Sequence, residues 1–591
     1  MVGSEPPKTA SFMKGLFNND INEGMLFNFP FFAGPREDDF TLMSDSIRAW
    51  LEDSVDSAKF DADKKLPDEV LSGIKDMGLF GLIIPEAFGG SELNQTLYTR
   101  ILELINHYDA SVALTVGAHQ SIGLKGLYLF GTDAQKRKYL PRLATGELIA
   151  AFALTEPTAG SDAAGIKMRA ERRGDHYVLN GSKLWITNGA MADFFTVFAK
   201  EIVDGKETIS AFLVTRDCGG VSHGPEEQKL GIRASSTVEV YFKDTVVPVD
   251  QVLGAPGDGF KIAMAILNQG RLGLAGGALG SIRSVLKDCA QYAESRKAFG
   301  KSIGSFGLIQ NLITEITAYA YGLESMTYLT THLVDTGELD YSIEAAICKV
   351  YGTEAAWASI NHAMQIHGGN GYMVDYGLER KLRDCRIGLI FEGTNEILRL
   401  FIALTGLKEP ATAFKAALKD LQTIQNFREL ENVNTAIAKI GVLSEFALNQ
   451  VRKSVITEKL TGLHTELSKE SERLAVATKL LTTAAGRIIR THGAQLTDEQ
   501  MQLGRLANMA IDTYLIAAVL ARIQGVLTHH GGVEKNKKEL ALAKLIIRNA
   551  KARVNHEAHN IRFNRDKTVR DLSAAVVEQK SYPFSLERLK N

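Results

Sequence analysis

His176-Tyr177-Val178-Leu179-Asn180-Gly181-Ser182-Lys183-Leu184-Trp185-Ile186-Thr187-Asn188-Gly189 is the stretch whose reading decides the fold. It opens as a short alternating run and carries two Asn-Gly pairs, the pattern of strands punctuated by turns. A second run, Thr237-Val238-Glu239-Val240-Tyr241-Phe242, follows it, and Asp204-Gly205 and Cys218-Gly219-Gly220 add further turns. A β-domain of several short strands is expected over residues 151–257. On both sides the period changes to that of helices. Upstream, Ile47, Leu51 and Val55 recur every four residues, and Tyr98, Ile101, Leu102 and Ile105 form another stripe. Downstream, helical patterning returns at Phe260, is Ala-rich from Ser342 to Gln365, and continues past Pro410 through Leu474, Leu480, Leu481 and Ile488. This order is a segregated α+β architecture, not the alternation of a doubly wound sheet. The expected domains are an N-terminal arm (1–41, rich in Pro, Gly, Asn and Phe), an N-terminal helical domain (42–150), a central β-barrel-like domain (151–257), a helical-bundle domain (258–407) and an extra C-terminal helical domain (408–591).

The 591 residues exceed what one core can serve. A net charge of −2 offers no basic surplus, so nucleic acid is not an expected partner. Lys136, Arg137 and Lys138 read as a solvated helix face. Cys218, Cys289, Cys348 and Cys385 are far apart, which argues against a disulfide framework or zinc site and for a reducing compartment. No metal is expected. No run approaches 18 uncharged apolar residues. The opening residues lack a secretory h-region and carry Glu5, Asp20 and Glu23, unlike a transit peptide. A bacterial cytoplasmic protein is expected, the alternative being a protein of the mitochondrial matrix or inner-membrane face with its presequence removed.

Two glycine-rich stretches lead nowhere. Gly300-Lys301-Ser302 resembles the end of a phosphate-binding loop, but the first glycine of that motif falls on Ser295. Gly273, Gly276, Gly277 and Gly280 follow no strand, so close helix packing is their expected role. No H-E-x-x-H, G-x-S-x-G or EF-hand loop is present.

Three segments carry chemistry. Phe152-Ala153-Leu154-Thr155-Glu156-Pro157, continued by Gly160-Ser161-Asp162-Ala163, and Asn180 to Gly189 each join an apolar strand to short hydroxyls and glycines. Such loops present backbone N–H groups and an aromatic plane to a flat, partly polar ring. The third is Leu389-Ile390-Phe391-Glu392-Gly393-Thr394-Asn395-Glu396-Ile397. Apolar neighbours disfavour an ionised carboxylate and raise its pKa, as a base for a weak carbon acid requires. Gly393 permits close approach of a substrate.

At these residues the chain resembles the acyl-CoA dehydrogenases, from about Pro67 to Gly406. The motifs come in the expected order: Leu253-Gly254, Gly257, Gly259-Phe260, Gly270-Arg271, Ser295 to Lys301, Gln365 to Tyr372, Arg383-Asp384 and the Glu392 segment. The helical tail from about Lys408 is similar to that of the very-long-chain subfamily and its complex I assembly relative. The resemblance implies FAD as cofactor. Phe152, Leu154, Thr155 and Ser161 would line the flavin and its ribityl chain, with Trp185 against the ring and Thr187 near N5. Arg296 and Phe299 would hold the pyrophosphate and adenosine across a dimer interface, and Gln365, Gly368 and Gly369 would reach the same FAD from the partner subunit. Thr394 and Glu396 would lie near the cofactor, and Ser161, Asn268, Arg271 and Gly393 near the bound acyl-CoA. Glu392 would take the α-proton. Some members carry the base one residue before the matching Arg, which here is Gly270 and cannot serve.

The implied activity is α,β-dehydrogenation of a long-chain fatty acyl-CoA, with electrons passed to an electron-transfer flavoprotein. Small residues between Ala110 and Gly123 (Ala110, Ser111, Ala113, Gly117) would suit a deep acyl pocket. The tail implies a homodimer, and the stripe Val433, Ile437, Ile440, Ala447 and Val451 beside Lys439, Arg452 and Lys453 makes peripheral membrane contact conceivable, although core packing explains such a stripe more often. Competing readings are an assembly scaffold that keeps the fold, or an acyl-CoA oxidase.

Overall fold

The computed structural model describes residues 11–32, 35–337, 340–425 and 460–585. The stripe from Val433 to Val451 lies outside them. The described residues form two compact units, one from residues 24–398 and 521–542, the other from 13–23, 399–425, 460–520 and 543–585.

In the first unit, helix α1 (Pro35–Ser54) begins earlier than the helical domain expected from residue 42. Its start signals are proline at the first helical position and Glu37 and Asp38 in the first turn, where acids meet the positive end of the helix dipole. Glu37 takes a two-pronged pair of hydrogen bonds from Arg100 (2.7 and 2.6 Å). Asn94 caps α2 (Gln95–Tyr108) and Asp109 caps α3 (Ala110–Gly117), each accepting a backbone N–H of the first turn, so the break between the two helices is written in the cap at Asp109. A π-helical segment, Ala118–Gly123, follows α3. It buries His119, whose Nδ1 accepts the Ala150 N–H (2.9 Å) and whose Nε2 meets the Leu143 carbonyl (3.2 Å). Burial lowers its pKa to about 3, so the ring is neutral and joins the helices to the first strand.

Eight strands make the central sheet: β1 (Ala150–Ala153), β2 (Arg169–Arg173), β3 (His176–Thr187), β4 (Phe194–Val203), β5 (Lys206–Thr215), β6 (Val221–His223), β7 (Thr237–Pro248) and β8 (Val252–Leu253). Their order is β6-β7-β3-β2-β4-β5-β8, with β1 parallel to β4. The ladder has two free ends and is not a closed ring. Along β4 the two-residue period sorts Phe194 and Phe198 into a core shared with the helices, and Phe195, Val197 and Ala199 into a core on the other face. Asn180-Gly181, expected as a turn, is instead a register shift within β3, where Gly181 adopts φ 150°. A bulge and a turn share the same residue preferences, and the continuous partner β7 decides between them.

Three long helices complete this unit: α4 (Gly259–Ser295), α5 (Gly307–Asp335) and α6 (Ser342–His367). The glycines of α4 form its seam with α2. A Cβ at Gly276 would lie 2.6 Å from Thr99 Cγ2, and one at Gly280 only 2.2 Å from the Glu103 carbonyl oxygen. Alanine is the better helix former by about 1 kcal/mol. Against a backbone oxygen that cannot yield, overpacking wins, and Gly280→Ala should destabilise the protein by roughly 1–3 kcal/mol in a denaturant midpoint measurement. An unchanged or raised midpoint would refute the close seam.

Helix α7 (Asn395–Gln425) runs through Pro410 and across the expected boundary at 407/408. The second unit has its own core. Leu474, Leu481 and Ile488 of α8 (Ser468–His492) are buried, as are Leu506, Met509 and Tyr514 of α9 (Gln500–His529). Met13, Leu16 and Phe17 are buried too, and a Cβ at Gly406 would meet the Phe17 ring at 2.3 Å. Residues 13–23 therefore belong to this unit and do not lie as an arm on a surface. Among the described residues α9 alone is long and apolar enough to be weighed as a membrane span. Its Arg505 and Asp512 are held by Asp566 and Arg553, the arrangement of a core helix.

Candidate functional site

The acidic segment ends a 3-10 turn, Ile387–Leu389, and precedes α7. Between them Glu392 stands at φ 53° and Gly393 at φ 92°. A non-glycine residue held left-handed marks a position that its surroundings over-determine. The residue as a whole is partly accessible, but its Oε2 is shut from water and has no hydrogen-bond partner. Burial raises the carboxyl pKa from 4.5 to about 7, against the opposing charges of Arg271 and Lys349.

What faces this carboxylate comes from three helices. From α4, Gly270 lies directly against it, since a Cβ there would be 2.7 Å from Oε2. Arg271, next along, donates to Asn268 Oδ1 (2.8 Å), and burial lowers its pKa to about 10. From α2, the buried Tyr98 hydroxyl lies beside Ser121, whose own hydroxyl donates to the Gly117 carbonyl (2.6 Å). Burial, with the Glu392 charge adding, raises the tyrosine pKa. From α6, Lys349 donates to the Gly393 carbonyl (2.8 Å) and to Asn395 Oδ1 (2.9 Å). Glu392, Gly393, Asn268 and Arg271 are thus brought together. Tyr98, Lys349 and Asn395 were not anticipated.

The two polar loops of the sheet are joined to each other. Leu184 N–H donates to the Thr155 carbonyl (2.8 Å). Lys183, fully buried, donates to Glu156 Oε1 (2.7 Å) and to the Leu154 carbonyl (3.1 Å), and Glu156 also accepts the backbone N–H groups of Lys167 (2.5 Å) and Met168 (3.0 Å). This ion pair was not anticipated either, although a lysine inside a strand and next to Leu184 is a visible signal. It sets Leu154, Thr155 and Trp185 side by side. Trp185 holds φ 57° and leaves 61% of its surface exposed. Thr187 is in register with Thr237, and the next residue, Asn188, reaches the Thr115 carbonyl of α3 (3.0 Å). Phe152 stands half-buried beside Phe198, at 5.1 Å between ring centroids, while Ser161 is exposed on its loop.

A third group gathers at the far ends of α4 and α6. Arg296 follows α4 and opens the hairpin β9 (Lys297–Ala298) to β10 (Lys301–Ser302). Its two turn residues, Phe299 (φ 51°) and Gly300 (φ 82°), are both left-handed, as a tight hairpin requires. Phe299 is 95% exposed. Tyr292 stacks on His367 (4.1 Å), which ties the end of α6, with Gln365, Gly368 and Gly369, to the end of α4. Glu396 is exposed in the first turn of α7, and Thr394 Oγ1 accepts the Ile397 N–H (3.3 Å).

A flavin nucleotide fits these surfaces. An uncovered indole suits the ring, and Cβ atoms at Gly160, Gly368 and Gly369 would meet nothing within 4 Å, leaving room for a ligand.

Comparison with known proteins agrees along the chain. The families described as acyl-CoA dehydrogenase N-terminal, middle and C-terminal domains match residues 37–147, 151–245 and 257–407, and the ACAD9/ACADV C-terminal domain matches 465–582. The chain is 41% identical over 561 residues to the very long-chain specific acyl-CoA dehydrogenase, mitochondrial, of Bos taurus, covering 93% of this chain and 84% of that protein. Its structure matches the FAD-complexed acyl-CoA dehydrogenase of Bacillus anthracis with a TM-score of 0.80 at 32% identity, over 97% of this chain and 96% of the other. A chain of the Acidaminococcus fermentans electron transferring flavoprotein study matches with a TM-score of 0.61 at 34% identity, over 64% of this chain and all of that one.

Proposed function

The chain belongs to the acyl-CoA dehydrogenase family, and from that premise we propose that Glu392 is the base with which it desaturates long-chain fatty acyl-CoA to trans-2-enoyl-CoA in fatty acid β-oxidation. The protein is a flavin-dependent oxidoreductase with FAD as cofactor. The observation that carries the assignment is the water-excluded, unpartnered Oε2 of Glu392. A carboxylate with one oxygen shut from solvent and donors is a stronger base than one fully in water, as the weakly acidic α-hydrogen of a thioester requires. Its backbone N–H precedes a glycine whose φ of 92° leaves the chain open to a substrate carbonyl. When bound, FAD supplies the acceptor for the β-hydrogen. Phe152, Leu154, Thr155, Ser161, Trp185 and Thr187 are the residues that would hold its ring and ribityl chain, with Thr394 and Glu396 near it.

The long-chain preference is supported by the likeness to the very-long-chain enzyme and by the small residues Ala113 and Gly117 of α3. A homodimer is supported by the length of α4. Arg271 and Arg296 are separated by about 37 Å of helix at 1.5 Å per residue. Arg296, Phe299, Gln365, Gly368 and Gly369 are thus too far along the helix to serve the flavin beside Glu392 of the same chain, and would serve that of a second copy. The exposed Phe299, Leu308, Tyr372 and Val374 would be covered in that pairing. An electron-transfer flavoprotein is the proposed acceptor. The relatives include a mitochondrial and a bacterial enzyme, and either compartment of β-oxidation is a suitable home.

Anaerobic addition of palmitoyl-CoA to the purified flavoprotein should bleach the oxidised-flavin band, and oxygen should reoxidise it slowly. A flavin spectrum that no acyl-CoA bleaches would favour the scaffold, and rapid turnover with oxygen the oxidase. The pH profile follows from the raised carboxyl. Because Glu392 must be ionised to act, kcat/KM should fall tenfold per unit below about pH 7. An acid limb near pH 4.5 would mean that the base is not buried.

A further inference from the structure

We infer that Lys349 is the positioning residue for Glu392: its ammonium fixes the backbone of the base's loop and supplies part of the positive field in which the carboxylate ionises. This rests on the reading of Glu392 as the base. Residues 392–394 stand between a 3-10 turn and α7 with two left-handed residues in succession, a conformation that must be held from outside. Lys349 provides the hold. Its Nζ donates to the Gly393 carbonyl (2.8 Å), one peptide past the base, and to Asn395 Oδ1 (2.9 Å) at the start of α7. Asn395 in turn donates to Thr353 Oγ1 (3.1 Å) and Glu354 Oε1 (3.1 Å), and Thr353 Oγ1 donates back to the Lys349 carbonyl (2.8 Å). Residues 349, 353 and 354 share the inward side of α6, so one helix face forms the rack on which the loop rests.

Lys349 is fully buried, and both of its hydrogen bonds go to neutral acceptors, the Gly393 carbonyl and Asn395 Oδ1. Burying an ammonium costs several kcal/mol, and an apolar residue would fill the space at less cost. The charge is kept where carboxylates around it offset the cost, and Glu392 acts on it most strongly. The charged and titratable groups facing Glu392 are Arg271 from α4, Lys349 from α6 and Tyr98 from α2, while Glu354 and Glu396 lie around Lys349. Two cations and no second anion therefore oppose the burial of the base.

The test compares Lys349→Met, Lys349→Arg and Asn395→Ala as FAD-loaded full-length proteins, with palmitoyl-CoA as substrate and Glu392→Gln as control. Lys349→Met should lower kcat by about a hundredfold through misplacement of the base. It should also move the acid limb of kcat/KM upward by roughly one pH unit. Lys349→Arg should restore the limb but only part of kcat, since a guanidinium cannot reproduce the two hydrogen bonds. Asn395→Ala, which keeps the charge, should lower kcat with the limb unmoved. The inference is overturned if Lys349→Met loses kcat without moving the limb, or keeps both within twofold of the parent. Should Lys349→Met fail to take up FAD, a displaced limb in Lys349→Arg or an unaltered kcat in Asn395→Ala overturns it equally. If Glu392→Gln stays active, it is the assignment of the base that fails.

Discussion

Glu392→Gln should lower kcat with palmitoyl-CoA by roughly a hundredfold to ten-thousandfold, the range of general-base catalysis, while leaving FAD content and substrate binding in place. Glutamine has the same outline and keeps φ available at 53°, so the loop need not move. The change also has a second, opposite readout. In the folded chain Glu392 keeps its proton up to about pH 7, against 4.5 for an unperturbed carboxyl. The proton-linked contribution to stability is therefore complete below about pH 4.5 and is lost as the pH rises through 7. The glutamine variant suffers no such loss. At pH 8 it should be more stable than the parent by on the order of 3 kcal/mol, and near parity at pH 4.5, in substrate-free denaturant titrations. Loss of activity without the pH-dependent gain would show that the carboxyl titrates in solvent. Retained activity would place the base elsewhere.

Lys183→Met should destabilise the protein by about 3–5 kcal/mol and release FAD. The lysine is fully buried and, among the described residues, is the one cation bonded to Glu156, whose other donors there are the Lys167 and Met168 N–H groups. The substitution leaves that charge buried and uncompensated, and it frees the strand from the Leu154 carbonyl. Because Leu154, Thr155 and Trp185 are aligned through this pair, the expected loss includes the flavin shelf as well as the fold. The double variant Lys183→Met, Glu156→Gln should recover much of the stability, since it removes both charges together. If the single and double variants are equally unstable, the pair is not what holds the loops.

The helix-sheet-helix order was legible in periodicity, because half-buried strands and amphipathic helices sort apolar residues differently. The start of α1 was not read, although Pro35, Glu37 and Asp38 carry the signal, and the Asn180-Gly181 bulge could not be, because the pairing with β7 that distinguishes it from a turn is non-local. Glu392 was legible through its apolar neighbours. Lys349 was less so. It stands in Ala345-Ala346-Ile347-Cys348-Lys349-Val350, and a charge in a helix apolar on all sides is a signal in itself, but its partner lies 44 residues away. Asn268 and Arg271 were placed by resemblance alone, and contact with Glu392 through Gly270 became visible only in three dimensions.

That contact at Gly270 constrains how such a protein can change. The side chain of residue 392 and any side chain at 270 claim one volume, so there is a single seat for a carboxylate, to be filled from helix α4 or from the loop before α7. Glutamate placed at 270 while Glu392 remains would set two carboxylates within contact distance, and one would be held protonated and idle. Removing Glu392 first would leave no base at all. Of the two orders of single replacement, only the one that adds the second glutamate before removing the first keeps a carboxylate in place throughout, and it does so by crowding both into one volume, so the two positions are read together.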